Sequence, residues 1–233
     1  MTKRLLHLFP DLMNLYGDVG NVWMVEKTLR ENGFEVTVDR AAPGDELRFS
    51  DYDMIFLGPG TERAQQAALA ALRPCREAVL DAIVREIPFL ATGNAMELFG
   101  NSLTDAAGRT VPGLGAFDFD TVQHDRGFTV TDVLATSPLF AGPVIGFLNS
   151  CSQVTPVTSP LFTVTFGDCP PTEGVYRDGF LGTRLIGPLL VRNPQILQFF
   201  MEKLTGRSSP PDPLQTVAYE TALAQLQKRQ AAR

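Results

Sequence analysis

Four short apolar runs punctuate the first ninety residues: LLHLF at 5–9, FEVTV at 34–38, DMIFLG at 53–58 and PFLAT at 88–92. Runs of this length suit strands buried on both faces, whereas the stretches between them carry the spacing of amphipathic helices. Val22, Val25 and Leu29 repeat at helical intervals, and Gly33 supplies the left-handed residue that ends a helix. The helical pattern returns between 62 and 86, and Pro74 restarts it, because proline fits the first turn of a helix but not its interior. The order is therefore β-α-β-β-α-β. Crossover helices joining buried strands predict an α/β fold: a mostly parallel sheet with helices on both faces. A chain of 233 residues, 44% of them hydrophobic, can fill one such core.

The middle of the chain, 101–143, is richer in turn residues, and FTVTDVL at 128–134 predicts a strand with partly antiparallel pairing. VIGFL at 144–148 and LFTVTF at 161–166 predict two more, and Arg177-Asp178-Gly179 predicts a hairpin turn. NPQILQFFMEKL at 193–204 is a helix by the same criteria, closing a domain expected to span 1–205. The composition of GRSSPPDP, 206–213, is that of a linker. After it, Tyr219, Ala222, Leu223 and Leu226 share one face of a helix over 214–233, expected to dock on the domain or on a partner.

Several functions are disfavoured at the outset. A formal charge of -6 repels a phosphate backbone, so nucleic acid is not an expected partner. Pro10, Asp11 and Asp18 interrupt the N-terminal apolar run before a signal-peptide core can form, and no stretch is long enough to span a bilayer. A cytoplasmic protein without membrane insertion is expected. Cys75, Cys151 and Cys169 are too few and scattered for a disulfide framework or zinc signature. Gly58-Pro59-Gly60 lacks the lysine of a P-loop and the spacing of a dinucleotide fingerprint, so it predicts a tight turn at the sheet edge and no cofactor.

The stretch PFLATGNAMELFG, 88–100, has the strand, tight turn and helix start of a nucleophile elbow, which lifts one side chain above a sheet edge. It resembles the PxLAICGGYQLLG segment of class I glutamine amidotransferases of the cobyric acid synthase type, and in particular the GatD-type subunit of lipid II isoglutaminyl synthase. HLFPDLMNLYGDVGNV at 7–22 is similar to the opening of that family, and DYDMIFLGPGTERAQ at 51–65 to its DYDxxFxGGGQDxxQ. GLGAFDF at 113–119 is similar to GLGLLDF, IGFLNS at 145–150 to GFEN plus a polar residue, and GTRLIGPLLVRNPQI at 182–196 to GTYLHGPLLPKNPEL. These similarities run in order along most of the chain and imply the flavodoxin-like fold of class I amidotransferases.

The departures bear on function. By the resemblance, Gly93 falls on the nucleophilic cysteine, Ile186 on the histidine base, Glu97 on the usual glutamine and Pro59 on the middle glycine of GGG. Glutamine hydrolysis needs a thiolate and a base, and glycine and isoleucine supply neither. No catalytic residue is therefore assigned. Gly58, Gly60, Asn94, Glu97, Asn149 and Cys151 are the candidate binding residues of the former pocket. Asn94 and Glu97, three apart, resemble a capping box. His7 is expected to make a structural hydrogen bond, His124 to lie on the surface, Cys75 in the core and Cys169 in a loop. The resemblance implies a non-catalytic or regulatory subunit whose partner is a Mur-ligase-like, ATP-dependent synthetase acting on a peptidoglycan precursor. Two alternatives stay open: a module binding glutamine or another small molecule, and an amidotransferase working through Cys151 or a partner's residue.

Overall fold

The computed structural model describes residues 2–208 and 210–232. The first part runs β1 (Thr2–Leu8), α1 (Gly20–Glu31), β2 (Glu35–Ala41), β3 (Met54–Leu57), α2 (Glu62–Leu72), α3 (Arg76–Val84) and β4 (Phe89–Thr92). This is the expected order, with the second helix divided: Pro74 sits in a 3-10 turn, Arg73–Cys75, between α2 and α3. There follow β5 (Ser102–Thr104), β6 (Thr110–Pro112), β7 (Asp120–Gln123), β8 (Thr129–Thr136), β9 (Val144–Ser150), β10 (Ser152–Thr155), β11 (Pro160–Phe166), β12 (Thr172–Arg177) and β13 (Phe180–Thr183). Helices α4 (Leu189–Arg192), α5 (Pro194–Thr205) and α6 (Pro213–Ala231) complete the chain.

Nine strands form the main sheet in the order β2-β1-β3-β4-β13-β12-β11-β8-β9. Neighbours from β2 to β13 pair in parallel, and those from β13 to β9 pair antiparallel, so the sheet is mixed. The direction reverses at the β12–β13 hairpin, where Asp178 and Gly179 both have positive φ, 50° and 81°, the geometry of a type I′ turn. Strands β3, β4 and β13 are buried at every position. One face packs under Leu69 and Leu72 of α2 with Val79 and Ile83 of α3; the other packs under Val22, Val25 and Leu29 of α1 with Ile196 and Phe200 of α5. The double covering explains why these strands are continuous apolar runs rather than alternating ones.

A second sheet, β10-β7-β5-β6, was not anticipated. Its strands are three or four residues long, too short for an alternating pattern to stand out from the surrounding turns. His7 also departs from expectation. Its Nε2 is buried without a hydrogen-bond partner among the described residues, and the ring packs edge-on against Phe56 with centroids 5.1 Å apart. Burial keeps it neutral, with a pKa lowered to about 4.

Helix α6 packs across the antiparallel half of the sheet, where Leu226, Tyr219, Ala222 and Leu223 meet Leu134, Ile145 and Phe166. The Tyr219 hydroxyl donates to the carbonyl of Pro143 at 2.7 Å, and Gln215 Nε2 donates to that of Leu190 at 2.6 Å. Asp212 caps the helix by accepting from the amides of Leu214 and Gln215. Met1, Ser209 of the expected linker and Arg233 lie outside the described residues. Because Leu226 is 6% exposed and Leu214 81% exposed, Leu226→Ala is expected to cost about 2–3 kcal/mol and Leu214→Ala under about 0.5 kcal/mol in urea denaturation.

Candidate functional site

The C-terminal ends of β3 and β4 stand side by side, and each gives way to a turn. After β4 the chain enters the left-handed region at Gly93, with φ 58°, as an elbow requires. It continues in 3-10 turns through Phe99 rather than in an α-helix. The capping box expected of Asn94 and Glu97 is absent, because both side chains have tertiary partners. Asn94 grips the turn after β3: its Oδ1 accepts the Gly60 N–H at 3.0 Å and its Nδ2 donates to the Gly60 carbonyl at 2.8 Å. Glu97 is buried, accepting from Gln65 Nε2 at 2.8 Å and from the Ser152 hydroxyl. Gln65 Nε2 also donates to the carbonyl of Asn94 at 2.7 Å, and its Oε1 accepts from Gln123 Nε2 at 2.6 Å. Three turns distant in sequence are thereby locked around one carboxyl group.

These turns enclose a cavity of about 220 Å³. Gly93, Ile186, Gly60, Asn94, Glu97, Asn149 and Cys151 all line it. Gly58 does not; a Cβ built on it would lie 2.8 Å from the Met13 carbonyl oxygen and 3.3 Å from the Phe56 ring. Among the lining residues that escaped the sequence reading are Tyr16, Glu62, Gln123, Ser152 and Arg184. Tyr16, Glu62 and Arg184 lie inside stretches that carry the resemblance, where their polarity was the available signal. Gln123 and Ser152 lie outside those stretches, and no local pattern marks them. His124 is exposed, Cys75 is half-buried against the core, and Cys169 lies in a loop between β11 and β12.

Three of the positions that depart from the resembled motifs, Gly93, Pro59 and Ile186, adjoin in space. A Cβ built on Gly93 would lie 2.6 Å from Pro59 Cβ and 3.1 Å from Ile186 Cγ2. Hydrocarbon therefore crowds the position that a side chain's Cβ would take. Backbone donors are scarce here: Pro59 has no N–H, and the Gly60 N–H is taken by Asn94. Cys151 offers no substitute. Its thiol donates to Glu62 Oε1 at 3.5 Å, and burial, followed by the Glu62 charge, pushes its pKa up to about 11. At neutral pH only about one part in ten thousand would be thiolate.

Buried carboxyl groups surround the elbow. Burial raises the pKa of Glu97, against the hydrogen bonds from Ser152 and Gln65. Burial also raises that of Glu173, against the pull of Arg184; the carboxyl accepts the Arg184 N–H at 2.7 Å and the Thr183 hydroxyl at 2.5 Å. Beneath the elbow, fully buried Asp18 accepts from the Thr92 hydroxyl, and the backbone of Gly187 also favours its charged form. Its pKa is raised to about 6, chiefly by burial.

The sequence from Arg4 to Asn193 matches the CobB/CobQ-like glutamine amidotransferase domain, and the match takes in both elbow turns and the Ile186 loop. The chain belongs to this family. Among its relatives is the GatD subunit of lipid II isoglutaminyl synthase (glutamine-hydrolyzing) from Staphylococcus aureus strain N315, 29% identical over 88% of this chain and 85% of that protein. The subunit of the same name from Streptococcus pneumoniae R6 is 27% identical over 94% and 86%. A crystal structure of a glutamine amidotransferase superposes with a TM-score of 0.56 at 12% identity, covering 85% of this chain and 98% of that one, which supports the shared fold. Among the described residues, no helix of this amidotransferase-family chain is long and apolar enough to cross a membrane, and no cluster of metal-ligating side chains occurs.

Asp18 and His7, shifted in opposite directions, give opposite pH dependences. Asp18 titrates near 3.8 unfolded and about 6 folded, so its stabilising contribution is complete below the lower value and is lost as pH rises through the higher. His7, lowered from 6.5 to about 4, loses its contribution as pH falls through that window. Asp18→Asn is expected to remove about 3 kcal/mol of the stability change between pH ~4 and ~6.5, as measured in denaturant titrations at stepped pH.

Proposed function

We propose that this chain is an amidotransferase-type subunit related to the GatD subunit of lipid II isoglutaminyl synthase that does not hydrolyse glutamine. In this reading it serves as a non-catalytic or regulatory subunit beside a Mur-ligase-like, ATP-dependent synthetase acting on a peptidoglycan precursor. The observation that carries the reading is the contact at the elbow: residue 93 has no side chain, and Pro59 and Ile186 occupy the space where one would project. A glutamyl thioester needs a sulfur above the elbow and a proton acceptor opposite it. Isoleucine at 186 can neither take nor give a proton, and Cys151 faces a carboxylate that disfavours its thiolate. The relatives' names support the partner class, since they describe one subunit of a synthase.

The purified chain, alone and with a co-expressed Mur-ligase-like synthetase, is expected to release no ammonia from glutamine above background, and Cys151→Ala is expected to leave that result unchanged. Ammonia release that Cys151→Ala abolishes would overturn the proposal; so would a failure to co-purify with any such synthetase under native expression. The packing gives a separate test. Gly93→Cys is expected to destabilise by about 2–4 kcal/mol, from the left-handed backbone and the collision with Pro59. Combining it with Pro59→Gly should cost less than the sum of the two single changes, as measured in a double-mutant denaturation cycle.

A further inference from the structure

Arg184 is the one cation among the described residues that line the cavity, and its side chain is 6% exposed. The resembled motif has tyrosine at this position, so the charge is a further departure, alongside Gly93 and Ile186. A guanidinium carries five N–H donors and no acceptor. Among the described residues this one makes a single side-chain hydrogen bond, from Nη1 to the carbonyl of Ser152 at 3.1 Å. Its Nε is buried without a hydrogen-bond partner; Glu173 Oε1, 3.6 Å away, is within ion-pair reach but too far to accept. The neighbouring carboxyl groups are turned to other donors: Glu173 to the Arg184 backbone N–H and the Thr183 hydroxyl, Glu97 to Gln65 and Ser152. Burial also favours the neutral form of both. A buried guanidinium with most of its donors uncommitted is costly unless an acceptor reaches it.

From these uncommitted donors, and resting on the reading that the glutaminase chemistry is gone, we propose that the cavity binds a compact monocarboxylate with a short hydrocarbon tail, its carboxylate on the Arg184 guanidinium and its tail along Ile186, Pro59 and Phe128. A carboxylate accepts paired N–H bonds from the guanidinium fork, and such charge-assisted bonds are shorter and stronger than neutral ones. The rest of the lining favours one negative charge and no more. Glu62, exposed in the first turn of α2 and met by the weak thiol donor of Cys151, repels a second anionic group. No second cation lines the cavity among the described residues. Beside the elbow the wall is hydrocarbon, from Pro59 and Ile186, and Phe128, 59% exposed, extends it at the mouth. An apolar tail leaves water for that surface. The volume, about 220 Å³, falls below the range of drug-sized sites, roughly 300–1,000 Å³, so the ligand is compact.

Pentanoate is the probe, titrated into the full chain by calorimetry and by thermal shift beside pentylammonium, inorganic phosphate and glutamine. Pentanoate is expected to bind and to raise the melting temperature, and the other three to bind at least about tenfold more weakly. Arg184→Gln is expected to weaken pentanoate binding at least about tenfold, and Arg184→Lys, charged but without the fork, about threefold. Glu62→Gln leaves the buried network untouched and is read even where an Arg184 variant fails to fold. It removes a like charge and is expected to tighten binding about twofold, whereas Glu220→Gln, on the exposed side of α6, is expected to leave it unchanged. The proposal is overturned if no binding of pentanoate is seen up to about 20 mM, if any of the three comparison ligands binds as tightly, if folded Arg184→Gln keeps full affinity, or if Glu62→Gln fails to tighten binding. Ammonia release from glutamine, assayed in parallel, would instead overturn the underlying reading, so the two failures are distinguishable.

Discussion

The two hydrogen bonds between the Asn94 carboxamide and the Gly60 backbone hold the site in its present form. They join the turn after β3 to the turn after β4, the two neighbours at the centre of the parallel half of the sheet. With that joint made, Pro59 is delivered against Gly93, and Gln65 reaches the Asn94 carbonyl and the Glu97 carboxyl together. The same joint consumes the amide of Gly60. One side chain therefore stabilises the architecture of the elbow while taking up a backbone donor beside it.

The second organising constraint is the burial of three carboxyl groups, Asp18, Glu97 and Glu173, within or beside this scaffold. A buried carboxylate is tolerated only with hydrogen-bond donors around it. Each has recruited them from distant segments: Thr92 for Asp18, Gln65 and Ser152 for Glu97, Thr183 and Arg184 for Glu173. These bonds tie the turn before α1 to the end of β4, α2 and β10 to the elbow, and β12 to the end of β13. They belong to the fold as much as to the cavity.

Much of this was legible in the sequence, for physical reasons that differ by element. Strands β1, β3 and β4 announced themselves because burial on both faces leaves an unbroken apolar run, and the divided second helix was visible in Pro74. The small sheet was not, since its short strands lie among turns. At the site, the motifs identified Gly93 and Ile186 as absent chemistry, but only the fold could reveal that the two meet and that Pro59 fills the gap between them. Asn94 and Glu97 were misread because a capping box and a pair of tertiary hydrogen bonds share the same three-residue spacing. The burial of Asp18 is a consequence of chain path, which no local pattern encodes.

The contact between Gly93 and Pro59 also carries a consequence for descent. Recovery of a thiol at the elbow cannot proceed from this chain by one favourable step: the cysteine arrives against the proline ring, and a glycine at 59 arriving first brings no activity to select. A histidine at 186 alone faces no sulfur. The three positions are fitted to one another, so placing a cysteine and a histidine here requires changing all three together.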